Sequence, residues 1–182
     1  MPEIAENIPP WLPPLDPFSG DWATYCERIY ATFCNTLLRA KLCFRGHRLS
    51  VRKSPMDQDK AATFWHMTSD GRERCAEEDR VPDVRKCERL AWACALIQAA
   101  DDESKTNVWA SSRTKAYGPA DRWVISLLDY SYVVIIEERI TKADRYMLLI
   151  TAYPVEYERQ RGKLKKEHQA YEASLAQPIG CG

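Results

Sequence analysis

The chain reads as an α+β protein, with N-terminal helices packed on an antiparallel β-meander and a C-terminal helix after it. Three observations predict this. Apolar residues recur at three-to-four spacing from Trp22 to Leu38, the mark of a helix with one buried face. Four runs rich in β-branched and aromatic residues crowd the stretch from 108 to 153. Only Asp129-Tyr130-Ser131 separates two of these runs, short enough for a hairpin. Helices first and strands afterwards is the element order of an α+β domain.

Residues 1–20 hold six of the eleven prolines, with Trp11 and Phe18 among them. They read as an extended arm whose aromatics dock on the domain or on a partner. Asp21 is placed to cap a helix running to about Lys41. Leu42 to Arg52 alternates loosely as a strand, with Gly46 and His47 at a kink or turn. Ala62 to Thr68 reads as a second short strand, and Asp70 to Asp79 as a charged loop. Val81-Pro82-Asp83 opens a helix to about Ala99, with proline in its first turn and Leu90, Ala93, Cys94 and Ile97 as its buried stripe. Strands follow at Val108–Lys115, Trp123–Leu128, Tyr132–Glu138 and Tyr146–Tyr153. The unbroken apolar run Val133 to Ile136 marks a central strand covered on both faces. A charged helix covers 156–174. Three segments result: the arm (1–20), one α+β domain (21–155) and the terminal helix with its tail (156–182).

Composition narrows the function classes. Twenty-six basic and 26 acidic residues cancel, so no global field draws the chain to nucleic acid. The seven cysteines are scattered, with no C-x-x-C and no cysteine–histidine cluster at metal-ligand spacing. They read as reduced thiols of a cytoplasmic protein. No apolar run approaches the roughly 20 residues that cross a bilayer, so no membrane partner is expected.

The strand end Thr151-Ala152-Tyr153-Pro154 carries the most specific chemistry. At strand spacing Thr151 and Tyr153 share one face, with Leu148, Ile150 and Ala152 on the other, and Pro154 ends the ladder. Two hydroxyls at a sheet margin serve either to hold a ligand or simply to finish a strand. Phe64-Trp65-His66 offers an imidazole, the side chain that titrates nearest neutral pH. It serves as an acid or base, or as a hydrogen-bonded member of an aromatic cluster.

These segments together resemble the barnase–EndoU–colicin–RelE superfamily of small metal-independent ribonucleases, in its phage-associated branch. The likeness runs from the histidine segment through the Pro-Asp-led helix Pro82–Arg89 to the meander closed by Thr151-Ala152-Tyr153-Pro154. It spans residues 62 to 155, about half the chain. The arm, the first helix and the terminal helix have no counterpart in the minimal fold.

The resemblance implies an endoribonuclease of toxin type that needs no cofactor and no metal and leaves a 2′,3′-cyclic phosphate. Such a reaction needs a base for the ribose 2′-hydroxyl, an acid for the departing 5′-oxygen, and donors for the phosphorane. His66, Thr151, Tyr153 and Arg89 are its candidate catalytic residues. Arg85, with Lys86 beside it, is a candidate for the scissile phosphate, although Asp83 and Glu88 equally suit these cations to surface ion pairs. Arg113, Lys115 and Arg122 flank the start of the meander, with Trp109 available to stack a base. His47, among Arg45, Arg48 and Arg52, suits a phosphate contact or a solvated turn; His168 reads as surface.

RNA and a restraining protein partner, an antitoxin or a defence-complex subunit, are the partners implied. The competing reading is a non-catalytic interaction subunit of a phage-derived or defence assembly, which balanced charge, six tryptophans and an appended arm also suit. A nucleotide-modifying transferase has less support, since no glycine-rich phosphate loop is present.

Overall fold

The computed structural model describes residues 8–70, 81–115 and 118–176, with the side chains of 112–121 left aside. Asp21 caps α1 (Trp22–Phe33) as predicted, its Oδ1 accepting the Thr24 amide at 3.0 Å. Tyr25, Cys26, Ile29 and Phe33 form the buried stripe. The helix does not run on to Lys41. It widens at Cys34–Leu38 into one π-helical turn, closed by the Arg39 amide on the Cys34 carbonyl at 2.9 Å. The extra residue in that turn keeps both Cys34 and Leu37 in the core.

The proline-rich arm docks on this layer. Leu12 is buried, the Trp92 indole donates to the Pro13 carbonyl at 2.9 Å, and the Asp16 amide donates to the Glu88 carbonyl at 3.0 Å. Asp16 also pairs with Arg28 at 2.7 Å. The arm's aromatics and carbonyls thus belong to the domain's own packing.

A hairpin follows, β1 (Cys43–Phe44) and β2 (His47–Val51), turned by Arg45-Gly46 with φ of 50° and 77°. Two left-handed residues in succession match the twist of a two-residue hairpin. Ala62–Thr68 is α-helix α2, not the strand its composition suggests. A short apolar run fits a buried strand or a buried helix equally well, and packing decides. As a helix the segment buries Thr63, Phe64, Trp65, Met67 and Thr68 at once. Its first amides, Ala62 and Thr63, donate to the Lys53 and Arg52 carbonyls just past β2, so no side-chain cap is needed.

The single helix expected from Pro82 to Ala99 is three pieces. Ser69–Asp70 (β3) pairs with Val81–Pro82 (β4), so proline precedes the helix rather than occupying its first turn. Asp83 then caps α3 (Val84–Glu88), and α4 (Trp92–Gln98) follows after a turn. The break has a local cause. The Trp92 amide and the Tyr132 hydroxyl both donate to the Arg89 carbonyl, at 2.9 and 3.2 Å, which a continuous helix would reserve for residue 93.

Strands β5 (Thr106–Lys115), β6 (Gly118–Leu127), β7 (Tyr132–Ile140) and β8 (Arg145–Pro154) form the predicted antiparallel meander. Six strands make the sheet, in the order β1-β2-β8-β7-β6-β5, with β2 parallel to β8. The sheet curls, so that the hairpin ring of Phe44 meets Trp123 of β6 at 5.9 Å between centroids. α1, α2 and α4 fill one face with the main core; α5 (Glu158–Ala176) lies on the other. Within β7, Val134 and Ile136 enter the first core while Val133 and Ile135 meet the second, the two-faced burial expected of its apolar run.

α5 buries no residue completely. It rests through Leu164, Tyr171 and His168 on Trp109, Val124, Val133 and Val155. His168 is therefore not a surface residue: its side chain is 12% exposed, and its Nδ1 lies 3.0 Å from the Tyr130 hydroxyl.

Burial also sets a pH limit. Cys87, whose thiol donates to the Thr68 carbonyl, is pushed from its ordinary value of 9.0 up to about 12, by burial first and then by the Asp83 charge. Burial raises Tyr132 and Tyr25 as well. Between about pH 9 and 12 the unfolded chain releases protons that the folded chain keeps, so stability falls as pH rises. Thermal melts are expected to fall steadily above pH 9, and Cys87→Ala to flatten the first part of that decline. A pH-independent melting temperature from 8 to 11 would contradict this.

Candidate functional site

The parallel pairing of β2 with β8 stops at Val51 and Leu149. Beyond that point α2 and α3 approach β8, and its last residues carry the candidate site. A β-bulge sets their direction. Ile135 pairs with Thr151 but Ile136 pairs with Leu149, so Ile150 is the extra residue. The predicted alternation therefore holds only locally. Thr151 and Tyr153 do share a face, but the bulge resets the phase and sends Leu149 and Ala152 together into the helical core.

α2 brings His66 to this place. Along the helix and its cap, Ala62, His66 and Ser69 are the half-buried positions and every residue between them is buried. Spacings of four and three put these positions on one stripe. The imidazole thus lies on the helix's half-buried side, away from the aromatic cluster of Phe64, Trp65 and Phe33. The Thr151 hydroxyl donates to the His66 carbonyl at 3.4 Å. This long bond ties the strand end to the residue that carries the imidazole. Tyr153 lies on the Thr151 side of the strand and packs against the cluster under α5.

α3 sits beside α2, joined by the Cys87–Thr68 bond and by the Asp83 amide on the Thr68 carbonyl at 2.9 Å. Arg85 is 56% exposed and reaches Glu156, just past β8, at 2.7 Å. Such a surface pair contributes little to stability. Arg89 does not share that face. The helix ends at Glu88, and the Arg89 side chain, 7% exposed, turns inward to donate to the Arg85 carbonyl at 3.1 Å and to cover the Trp92 ring. Its place is in the α3–α4 turn, not on a substrate surface. Lys86 is likewise engaged, with Asp70, Asp83 and the Ser69 carbonyl.

The remaining candidates lie elsewhere. Trp109 is fully buried beneath α5, against a tilted His168 ring and edge-on to Tyr130, and offers no face to a base. His47 starts β2, six residues back along the strand direction from the level of Thr151, roughly 20 Å away. Arg122 donates to Glu137 at 2.7 Å on the middle of the sheet. Arg113 and Lys115 belong to β5 by backbone, and their side chains lie outside the described residues, as does the charged stretch 71–80.

Arg52 and Lys53 were read from the sequence only as neighbours of His47 or not at all. Both are exposed, and they continue β2 toward the level of Thr151. Only the parallel register reveals them, and it leaves no local trace in the sequence. Among the described residues no three histidine, cysteine or acidic side chains are grouped to hold a metal, and no helix is long and apolar enough to cross a membrane.

The chain matches no family model, no curated protein and no solved structure.

Proposed function

We propose that this protein is a metal-independent endoribonuclease of toxin type, cleaving RNA through a 2′,3′-cyclic phosphate. The observation that carries the reading is the junction of α2 with β8. A histidine on the half-buried stripe of an otherwise buried helix is tied through its own carbonyl to the Thr151 hydroxyl. His66 supplies the acid or base and Arg85 a cation that neutralises the phosphate, while the Thr151 hydroxyl gives up its long bond to the His66 carbonyl to donate to a non-bridging oxygen. Tyr153, in the α5-side packing, holds the strand end in place. Arg89 supports the reaction by fixing α3 rather than by touching substrate.

The setting proposed is a cytoplasmic one, in phage defence or a toxin–antitoxin pair, with a protein partner that keeps the enzyme harmless. The chain incubated with single-stranded RNA in the presence of a chelator is expected to yield fragments ending in 2′,3′-cyclic phosphate. Thr151→Ala is expected to lower the rate about tenfold, the worth of one hydrogen bond in the transition state. Intact RNA, or cleavage only when divalent metal is added, would refute the proposal. Arrest of growth on expression, relieved by the same substitution, would place the activity in a cell.

A further inference from the structure

The face of the sheet that carries Thr151 continues past the reach of α5. On that face the register defines three rows. Val124, Ile135 and Thr151 form the first. Arg122, Glu137, Leu148 and Ser50 form the second. Arg139 and Tyr146 form the third, with Arg48 beside them, its guanidinium 5.5 Å from the Tyr146 ring. α5 covers the Trp109 and Val124 end, and the arginines of the second and third rows remain partly open.

The centre of this surface is a fully buried carboxylate. Glu137 is 0% exposed; its Oε1 accepts from Arg122 Nε at 2.7 Å and its Oε2 from Arg139 Nη2 at 2.5 Å. Among the described residues two guanidinium groups thus share one carboxylate, which leaves a positive charge in excess there. Each guanidinium has five N–H donors, and Glu137 uses one of each. Arg139 Nε is buried and has no acceptor among the described residues. The carboxylate fixes both forks at the sheet surface, so ordering them costs a ligand little. Arg48, 64% exposed, adds a third cation and is matched by Asp144.

We propose that Arg122 and Arg139, held by Glu137, form a phosphate subsite for the backbone of single-stranded RNA. The subsite occupies the second and third rows, roughly 7 Å (Arg122) and roughly 14 Å (Arg139) from the Thr151 row along the strand direction. It therefore engages the chain about one or two nucleotides from the scissile bond, with Tyr146 placed to stack a base. This deepens the ribonuclease reading and rests on it for the choice of RNA over other phosphate ligands.

The test uses a single-stranded 2′-O-methyl RNA oligonucleotide, which lacks the attacking hydroxyl and stays intact. Its binding to the full chain is followed by fluorescence anisotropy across a salt series. Arg139→Gln is expected to weaken binding several-fold and to reduce the slope of log K against log salt by about 0.7, one phosphate contact on a single strand. Arg139→Lys retains the charge and is expected to retain the slope. Unchanged affinity and slope in Arg139→Gln would overturn the subsite.

A measurement on the wild type removes any dependence on how the variants fold. Addition of the oligonucleotide is expected to shift the Nε–Hε signals of Arg122 and Arg139, and silence of both signals would overturn the proposal. Inorganic phosphate alone shifting them to the same extent would reduce the subsite to a free-anion site and overturn the RNA assignment. Binding on this face without any cleavage would sink the ribonuclease reading and leave the subsite standing. Cleavage with an unchanged Arg139→Gln salt slope would do the reverse.

Discussion

In the ribonuclease we propose, His66→Ala is expected to reduce RNA cleavage by a factor of about 10² to 10⁴, the range over which a positioned acid or base acts. The fold should survive the substitution. His66 lies on the half-buried stripe of α2, and the residues that anchor the helix are its neighbours Phe64, Trp65 and Met67. The bond that ties Thr151 to α2 uses the His66 carbonyl, which alanine retains. Alanine also suits a helix better than histidine does. The melting temperature should therefore stay close to wild type while activity collapses. The pH–rate profile supplies the stricter check, since the limb belonging to the imidazole should vanish in the variant. An active His66→Ala enzyme, or one whose profile keeps both limbs, would remove this residue from the chemistry.

The antiparallel half of the fold is legible in the sequence because each strand pairs with the next one along the chain. Short connections such as Asp129-Tyr130-Ser131 force that pairing, and the alternation of β7 is set by burial on both faces. α1 is legible for the same local reason: Asp21 and the Tyr25–Ile29–Phe33 stripe lie within one helix. Two kinds of feature are hidden. The parallel pairing of β2 with β8 joins segments far apart in the chain, and it alone shows that α2 departs from the sheet beside Thr151. The bulge at Ile150 inserts one residue into an apolar run in which every member looks alike.

The misreading of α2 follows from composition. Thr-Phe-Trp-His-Met-Thr is rich in residues that favour strands, yet its burial repeats at helical spacing once the core surrounds it. The site shows the same division. His66 and Thr151 could be singled out by residue type, and the fold brings them together. Arg89 and Trp109 were singled out by type as well, but the α3–α4 turn and the cover of α5 turn both inward. Charge and aromaticity mark a residue as capable of binding, while burial decides whether it is available.

Phe64→Ala is expected to cost about 3 to 5 kcal/mol of stability, as large-to-small changes at filled aromatic sites do. Phe64 is fully buried and stands in edge-to-face contact with Tyr30, Phe33 and Trp65, at centroid distances of 5.0, 5.6 and 5.1 Å. Two of these neighbours are held in place. Phe33 is pinned at the end of α1, and the Trp65 indole donates to the Asp57 carbonyl at 3.1 Å. The loss should appear as a lower denaturant midpoint with an unchanged slope, the sign of a change in stability alone. Phe64 is also the residue that seats α2 against α1, and the same helix carries His66 two positions later. Activity measured well below the melting temperature should therefore fall together with stability, whereas His66→Ala separates the two. Phe64→Leu, which keeps most of the buried area, should recover part of both. Should Phe64→Ala melt like the wild type, α2 would not be held by this cluster, and the route from core packing to the position of His66 would be wrong.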